Sequence, residues 1–183
     1  HFNQSKWEEA EHAYQMAIHF NPDDWRLYHQ RGQALINQGK WEEAERCFRQ
    51  SLEINPDDTA CYHSLGNTLS KLEKWEEAAE TYGQVAKLNP DTGESYNRLG
   101  EVFLKLEQCK EAEKAFKRAA KLNPDADCNY HAWGDVLFDQ GKWEKAVKAY
   151  ALALERCRPH LSWSHKLSVV GWSYHHLGKD LLN

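Results

Sequence analysis

Long hydrophobic runs are missing: nothing in the 183 residues approaches the ~20 apolar residues that a membrane-spanning helix needs. No basic stretch followed by an apolar one marks a secretory signal. Cysteine is sparse and odd in number, five residues at Cys47, Cys61, Cys109, Cys128 and Cys157 with no C-x-x-C pair. That pattern implies free thiols in a reducing compartment, and a cytoplasmic location is expected. An excess of basic charge is also missing, since 23 Lys and Arg face 28 Asp and Glu for a net charge of −5. This balance argues against bulk attraction to nucleic acid or to an anionic membrane. Glycine-rich phosphate loops, G-x-S-x-G, H-E-x-x-H and calcium-loop motifs are absent, so neither an enzyme nor a cofactor-binding protein is expected. A content of 41% hydrophobic and 28% charged residues excludes collagen-like and disordered chains.

What is present is a repeat. Pro22, Pro56, Pro90 and Pro124 stand 34 residues apart, each in an Asn-Pro-Asp context. Gly32, Gly66, Gly100 and Gly134 keep that interval, as do Trp7, Trp41, Trp75 and Trp143, with Cys109 in the remaining place. Ala10, Ala44, Ala78, Ala112 and Ala146 form another column, and Tyr14, Phe48, Tyr82, Phe116 and Tyr150 a further one. Independent columns at one fixed period imply stacked supersecondary units rather than a single globular core.

Within one repeat the apolar spacing is helical twice. Tyr62, Leu65, Gly66, Leu69 and Leu72 share one helical face, and Ala78, Ala79, Tyr82, Val85 and Ala86 share a second. Asn55, standing before Pro56, is pushed out of helical geometry and ends a helix, after which Asp57 and Asp58 are placed to cap the next. Gly39 and Gly141 suit a left-handed turn between paired helices, although Glu73 and Glu107 occupy the equivalent places. A glycine inside the first helix costs ~1 kcal/mol relative to alanine. Its recurrence at Gly32, Gly66, Gly100 and Gly134 is expected to reflect close helix approach against Ala44, Ala78, Ala112 and Ala146. The large aromatics of the second helix are then expected to fill space towards the next repeat.

The period, Leu65-Gly66-x-x-Leu69, Leu99-Gly100-x-x-Phe103 and the recurring alanine, aromatic and Asn-Pro positions resemble the tetratricopeptide repeat family. Tyr28, Tyr62, Tyr96 and Tyr130 stand where that family often has tryptophan, and Arg31 replaces the leucine before Gly32. The resemblance implies an all-α fold, a right-handed superhelical solenoid of antiparallel helix pairs. A single array over 1–183 is expected, with a half-unit at 1–24 and full repeats at 25–58, 59–92, 93–126 and 127–160. A degenerate terminal unit follows at 161–183, where the phase slips after Pro159 and Val170-Gly171-x-x-Tyr174 restores it. Half-units at both ends carry two expectations: a segment cut from a longer array, and end-to-end self-association through faces such as Ala10, Tyr14 and Ala17.

Ten histidines raise the question of a metal. Their densest cluster, Cys157, His160 and His165 with His175 and His176, has irregular spacing and an adjacent pair that diverges on a helix, so no metal site is expected. The recurring tryptophans raise base stacking, but they open second helices beside Glu-Glu or Glu-Lys and no basic track accompanies them. No nucleic-acid partner is expected.

In the family the first helices line a concave face whose non-core positions meet the ligand. The resemblance places Arg26, His29, Gln33 and Ile36 there in one repeat and His63, Asn67 and Lys71 in the next. Asn97, Arg98, Glu101 and Leu104 follow, then His131, Asp135 and Phe138. One column, His29, His63, Asn97 and His131, can donate and accept hydrogen bonds, while Ile36, Ser70, Leu104 and Phe138 form a mostly apolar one. The lysines of the chaperone-tail clamps in this family are missing, and Glu94 would repel a carboxylate. The expected role is a non-catalytic scaffold that binds a peptide or protein segment in this groove. The alternative expectations are a docking or spacer segment of a larger multidomain enzyme or regulator, and a self-assembling repeat unit.

Overall fold

The computed structural model describes residues 2–156 and Gly171. The described residues are helical apart from short turns: α1 (Phe2–Phe20), α2 (Trp25–Asn37), α3 (Trp41–Ile54), α4 (Thr59–Lys71), α5 (Trp75–Leu88), α6 (Gly93–Lys105), α7 (Cys109–Leu122), α8 (Asp127–Asp139) and α9 (Trp143–Arg156). The chain divides into two compact units, His1–Pro90 and Asp91–Asn183. In the first, α2 packs on α3 and α4 on α5, while α1 packs on α2 and α3 on α4. In the second, α6 packs on α7, α7 on α8 and α8 on α9. The Pro159 slip, the sixth-repeat helix and the Cys157–His176 cluster lie outside the described residues.

Local chemistry sets the helix ends. Asp24 and Asp58, both extended, cap α2 and α4 by accepting from the backbone N–H of Arg26 and Ala60 at 3.1 Å each. Thr92 and Ala126 hold the same place before α6 and α8 without a side-chain cap. Asn55, at φ −129°, ends α3 ahead of Pro56 as its sequence context requires. All four turns within the pairs are left-handed, at Gly39 (φ 75°), Glu73 (φ 58°), Glu107 (φ 58°) and Gly141 (φ 70°). The two glutamates thus carry the backbone strain that glycine avoids at the other two turns.

The helical glycines sit at the close helix approach expected of them, with an aromatic ring as the nearest partner. A Cβ built on Gly32, Gly66, Gly100 or Gly134 would meet ring carbons of Phe48, Tyr82, Phe116 or Tyr150 at 2.6, 2.8, 2.8 and 2.5 Å. The nearest atoms across each pair are therefore those of the aromatic ring. These rings do not simply face the next repeat. Each is almost fully buried and presses on the glycine of its own pair, and Phe116 also packs with Val136 of the next repeat, so a Cβ at the glycine would force a shift.

Ion pairs repeat with the fold as well. Lys40 reaches Glu11 at 3.0 Å, Lys74 reaches Glu45 at 2.8 Å and Lys142 reaches Glu113 at 2.6 Å. Arg31 joins Glu11 and Arg49 joins Glu45, so two of the three glutamates are shared by two cations. Burial pushes Glu11 and Glu45 up, but their cationic and amide hydrogen-bond donors outweigh it and hold both below the ordinary glutamate value.

Candidate functional site

In the first unit, α2 carries Arg26, His29, Gln33 and Ile36, and α4 carries His63, Asn67 and Lys71. None of these side chains is buried. Arg26 is 69% exposed and folds back on its own cap, with Nε donating to Asp24 Oδ1 at 2.8 Å. Gln33 Nε2 donates to Ser64 Oγ at 2.7 Å, tying α2 to α4. His29 meets the Phe48 ring edge-on at 5.6 Å, and His63 meets Tyr82 at 6.0 Å. Asn67 Oδ1 accepts from the Tyr82 hydroxyl at 2.7 Å. Ile36 is half-buried and Lys71 exposed.

In the second unit, α6 carries Asn97, Arg98, Glu101 and Leu104, and α8 carries His131, Asp135 and Phe138. Asn97 Nδ2 donates to buried Asn129 Oδ1 at 2.7 Å. Arg98 donates to Glu101 at 3.1 Å. His131 lies edge-on to Tyr150 at 5.5 Å, with Nδ1 3.1 Å from Asp135 Oδ2. The other Asp135 oxygen accepts from the Tyr150 hydroxyl at 2.7 Å. Burial, then Asp135, pushes the Tyr150 hydroxyl well above the usual phenol range. Phe138 meets Trp143 edge-on at 4.7 Å, while Leu104 leaves 38% of its surface to solvent.

Three histidines of the polar column thus share one geometry, each leaning on the ring that covers the glycine three residues further along its own helix. A second rule was open to sequence reading and missed. Where the buried ring is tyrosine, the residue fifteen positions earlier is the short Asn67 or Asp135, which reaches the hydroxyl. Where the ring is phenylalanine, that residue is the longer Gln33 or Glu101. Several groove candidates therefore serve the core with one end and face outward with the other. The first unit also has a cavity of about 360 Å³, lined by residues of α3, α4 and α5 that include Tyr62 and Leu65 but none of the groove candidates.

Profiles of the tetratricopeptide repeat match residues 1–62 and 63–127. The chain belongs to the tetratricopeptide repeat family. No curated protein matches it significantly. Among solved structures it is similar to MamA, with a TM-score of 0.79 and 19% identity over 84% of this chain and 90% of that one. It is similar to YrrB, described as a tetratricopeptide protein with an unusual peptide-binding site, with a TM-score of 0.76 and 24% identity over 91% and 84%. PilF of Pseudomonas aeruginosa gives a TM-score of 0.71 at 15% identity over 97% and 86%. At these identities the likeness establishes the all-α tetratricopeptide fold. Family membership supports a protein-interaction scaffold, a role that is typically non-catalytic. No helix among the described residues is long and apolar enough to cross a membrane.

Proposed function

We propose that the first-helix faces of this tetratricopeptide array bind an extended or short helical segment of a partner protein. The observation that supports this most is Leu104, an apolar side chain of α6 that stays 38% exposed in the same column as half-buried Phe138 on α8. An apolar position retained on an otherwise polar face is suited to receive an apolar side chain. Polar groups flank it, and Asp135, 49% exposed despite its two internal partners, favours a basic end of the ligand at α8. A peptide fits better than a compact small molecule because a helix face cannot enclose most of a ligand's surface.

Binding is modest in affinity, since ordering a flexible segment offsets part of the contact energy. The test is a peptide-array screen of wild type against a double variant, Leu104→Ser with Arg98→Ala, which alters the face at two solvent-accessible positions. Peptides captured by wild type and lost by the variant are expected, with basic residues enriched. Equal capture by two equally helical proteins would remove this face from consideration.

A further inference from the structure

We propose that His29 Nδ1, Asp58 Oδ2 and Cys61 Sγ form a binding site for a single zinc-class divalent cation that joins α2 to the first turn of α4. One ligand atom from each of the three residues lies within 4.8 Å of the other two. The site is enclosed: the side chains of His29 and Asp58 are 16% and 10% exposed, and Cys61 is 0% exposed.

Asp58 carries the decisive asymmetry. Its Oδ1 is used in the helix cap, accepting from Ala60 N at 3.1 Å. Its Oδ2 is buried with no hydrogen-bond partner, although the side chain is nine-tenths buried. An ionised oxygen left so is costly unless a positive group completes it. His29 Nδ1 stands 3.5 Å from that oxygen. Two ligands at ~2.0 Å from one tetrahedral ion are separated by about 3.3 Å, so this edge already has nearly the required length. Cys61 Sγ now points to the Phe48 carbonyl at 3.5 Å, and in the proposed site a turn about its Cα–Cβ bond brings it to the third position.

The donor set selects the ion. One nitrogen, one oxygen and one sulfur suit zinc and disfavour magnesium and calcium, which take oxygen ligands. Binding releases the Cys61 proton to solvent, and the ion's two positive charges are then balanced by one thiolate and one carboxylate. A neutral assembly is what an enclosed site tolerates. Three protein ligands leave a fourth position for water. The far ring nitrogen, His29 Nε2, is 3.4 Å from Ser64 Oγ, which fixes the ring when Nδ1 is the ligand.

The repeat supplies an internal comparison. Two periods later the places of His29, Asp58 and Cys61 are held by Asn97, Ala126 and Asn129. There Asn97 Nδ2 donates to Asn129 Oδ1 at 2.7 Å. The same juxtaposition of columns therefore carries a closed neutral pair in the second unit and three metal ligands in the first.

The experiment uses the full chain, reduced and chelator-treated, titrated with Co²⁺ alone and then with Zn²⁺. Wild type is expected to take up one equivalent of Co²⁺ with thiolate-to-cobalt charge-transfer absorption, bleached by one equivalent of Zn²⁺. Cys61→Ser and His29→Gln are expected to lose that absorption, and Cys157→Ser to keep it. Asp58→Asn, whose amide oxygen preserves the cap, is expected to weaken binding and provides the comparison if Cys61→Ser loses helicity. No thiolate band from wild type in excess Co²⁺ would overturn the assignment. So would a band that survives in Cys61→Ser or in both His29→Gln and Asp58→Asn, or one abolished by Cys157→Ser.

Discussion

The hydroxyl of Tyr82, itself 1% exposed, donates to Oδ1 of Asn67 at 2.7 Å, so an outward-facing residue of the first helix completes a buried one on the second. Removing the acceptor and removing the donor are unequal changes. Asn67→Ala takes the Oδ1 acceptor away from a buried hydroxyl and is expected to cost about 1–3 kcal/mol, whereas Tyr82→Phe costs about 0.5–1.5 kcal/mol. In a Tyr82→Phe background the Asn67 change is expected to cost much less. Urea unfolding of the four proteins in this cycle measures the coupling. Additive costs would mean that the hydrogen bond contributes nothing.

The helical glycines are held by rings. Alanine at position 66 gains ~1 kcal/mol in helix propensity, but its Cβ would sit 2.8 Å from Tyr82 Cε1. Overpacking of this kind costs about 1–3 kcal/mol, so Gly66→Ala is expected to destabilise. In a Tyr82→Leu background the same alanine is expected to become neutral or stabilising. A shift of the urea midpoint upward in the single variant would refute the close approach.

How much was legible follows from the range over which each rule acts. The period, the Asn-Pro helix stops, the Asp58 cap and the left-handed turns depend on a residue and its immediate neighbours, so the sequence displays them directly. Both the alanine and the aromatic columns turn inward, and which of them comes nearest to Gly32 and its equivalents is a matter of distance. Spacing alone does not show that the ring is the nearest partner. The groove candidates could be placed on a helix face by phase, but the partial engagement of Asn67, Asn97 and Asp135 by core groups needed side-chain positions. His29, Asp58 and Cys61 converge only because consecutive repeats stack, and no short motif announces them.

Glu73 and Glu107 sit at φ 58°, where the glycines of the other two turns sit at 70° and 75°. A left-handed non-glycine costs roughly 1–2 kcal/mol, partly offset because glycine loses more entropy on folding, by roughly 0.5–1 kcal/mol. Glu73→Gly and Glu107→Gly are each expected to stabilise by about 0.5–1 kcal/mol. Gly39→Ala is expected to destabilise by a similar amount. Thermal midpoints of the three variants check this, and a loss of stability in both glutamate-to-glycine proteins would sink it.

Acid sensitivity follows from Glu11 and Glu45. Both are held below the ordinary glutamate value of 4.5 in the folded protein, against burial, by the cations and amide that bind them. A group with a depressed folded pKa contributes stability that is fully present above its unfolded pKa and is lost as pH falls through the folded one. Stability is therefore expected to be flat in these two groups near neutrality and to decline below about pH 4.5. Lys74 and Arg49 are 42% and 43% exposed, so solvent screens their pull on Glu45. Glu45→Gln is then expected to cost only about 0.5–1 kcal/mol at pH 7. Its larger signature is a shallower loss of stability between pH 5 and 3, roughly the range over which glutamates titrate. Urea unfolding across that range, at low and at high salt, compares the two proteins. An acid slope unchanged by the substitution would mean that the Glu45 pairs with Lys74 and Arg49 are not formed in solution.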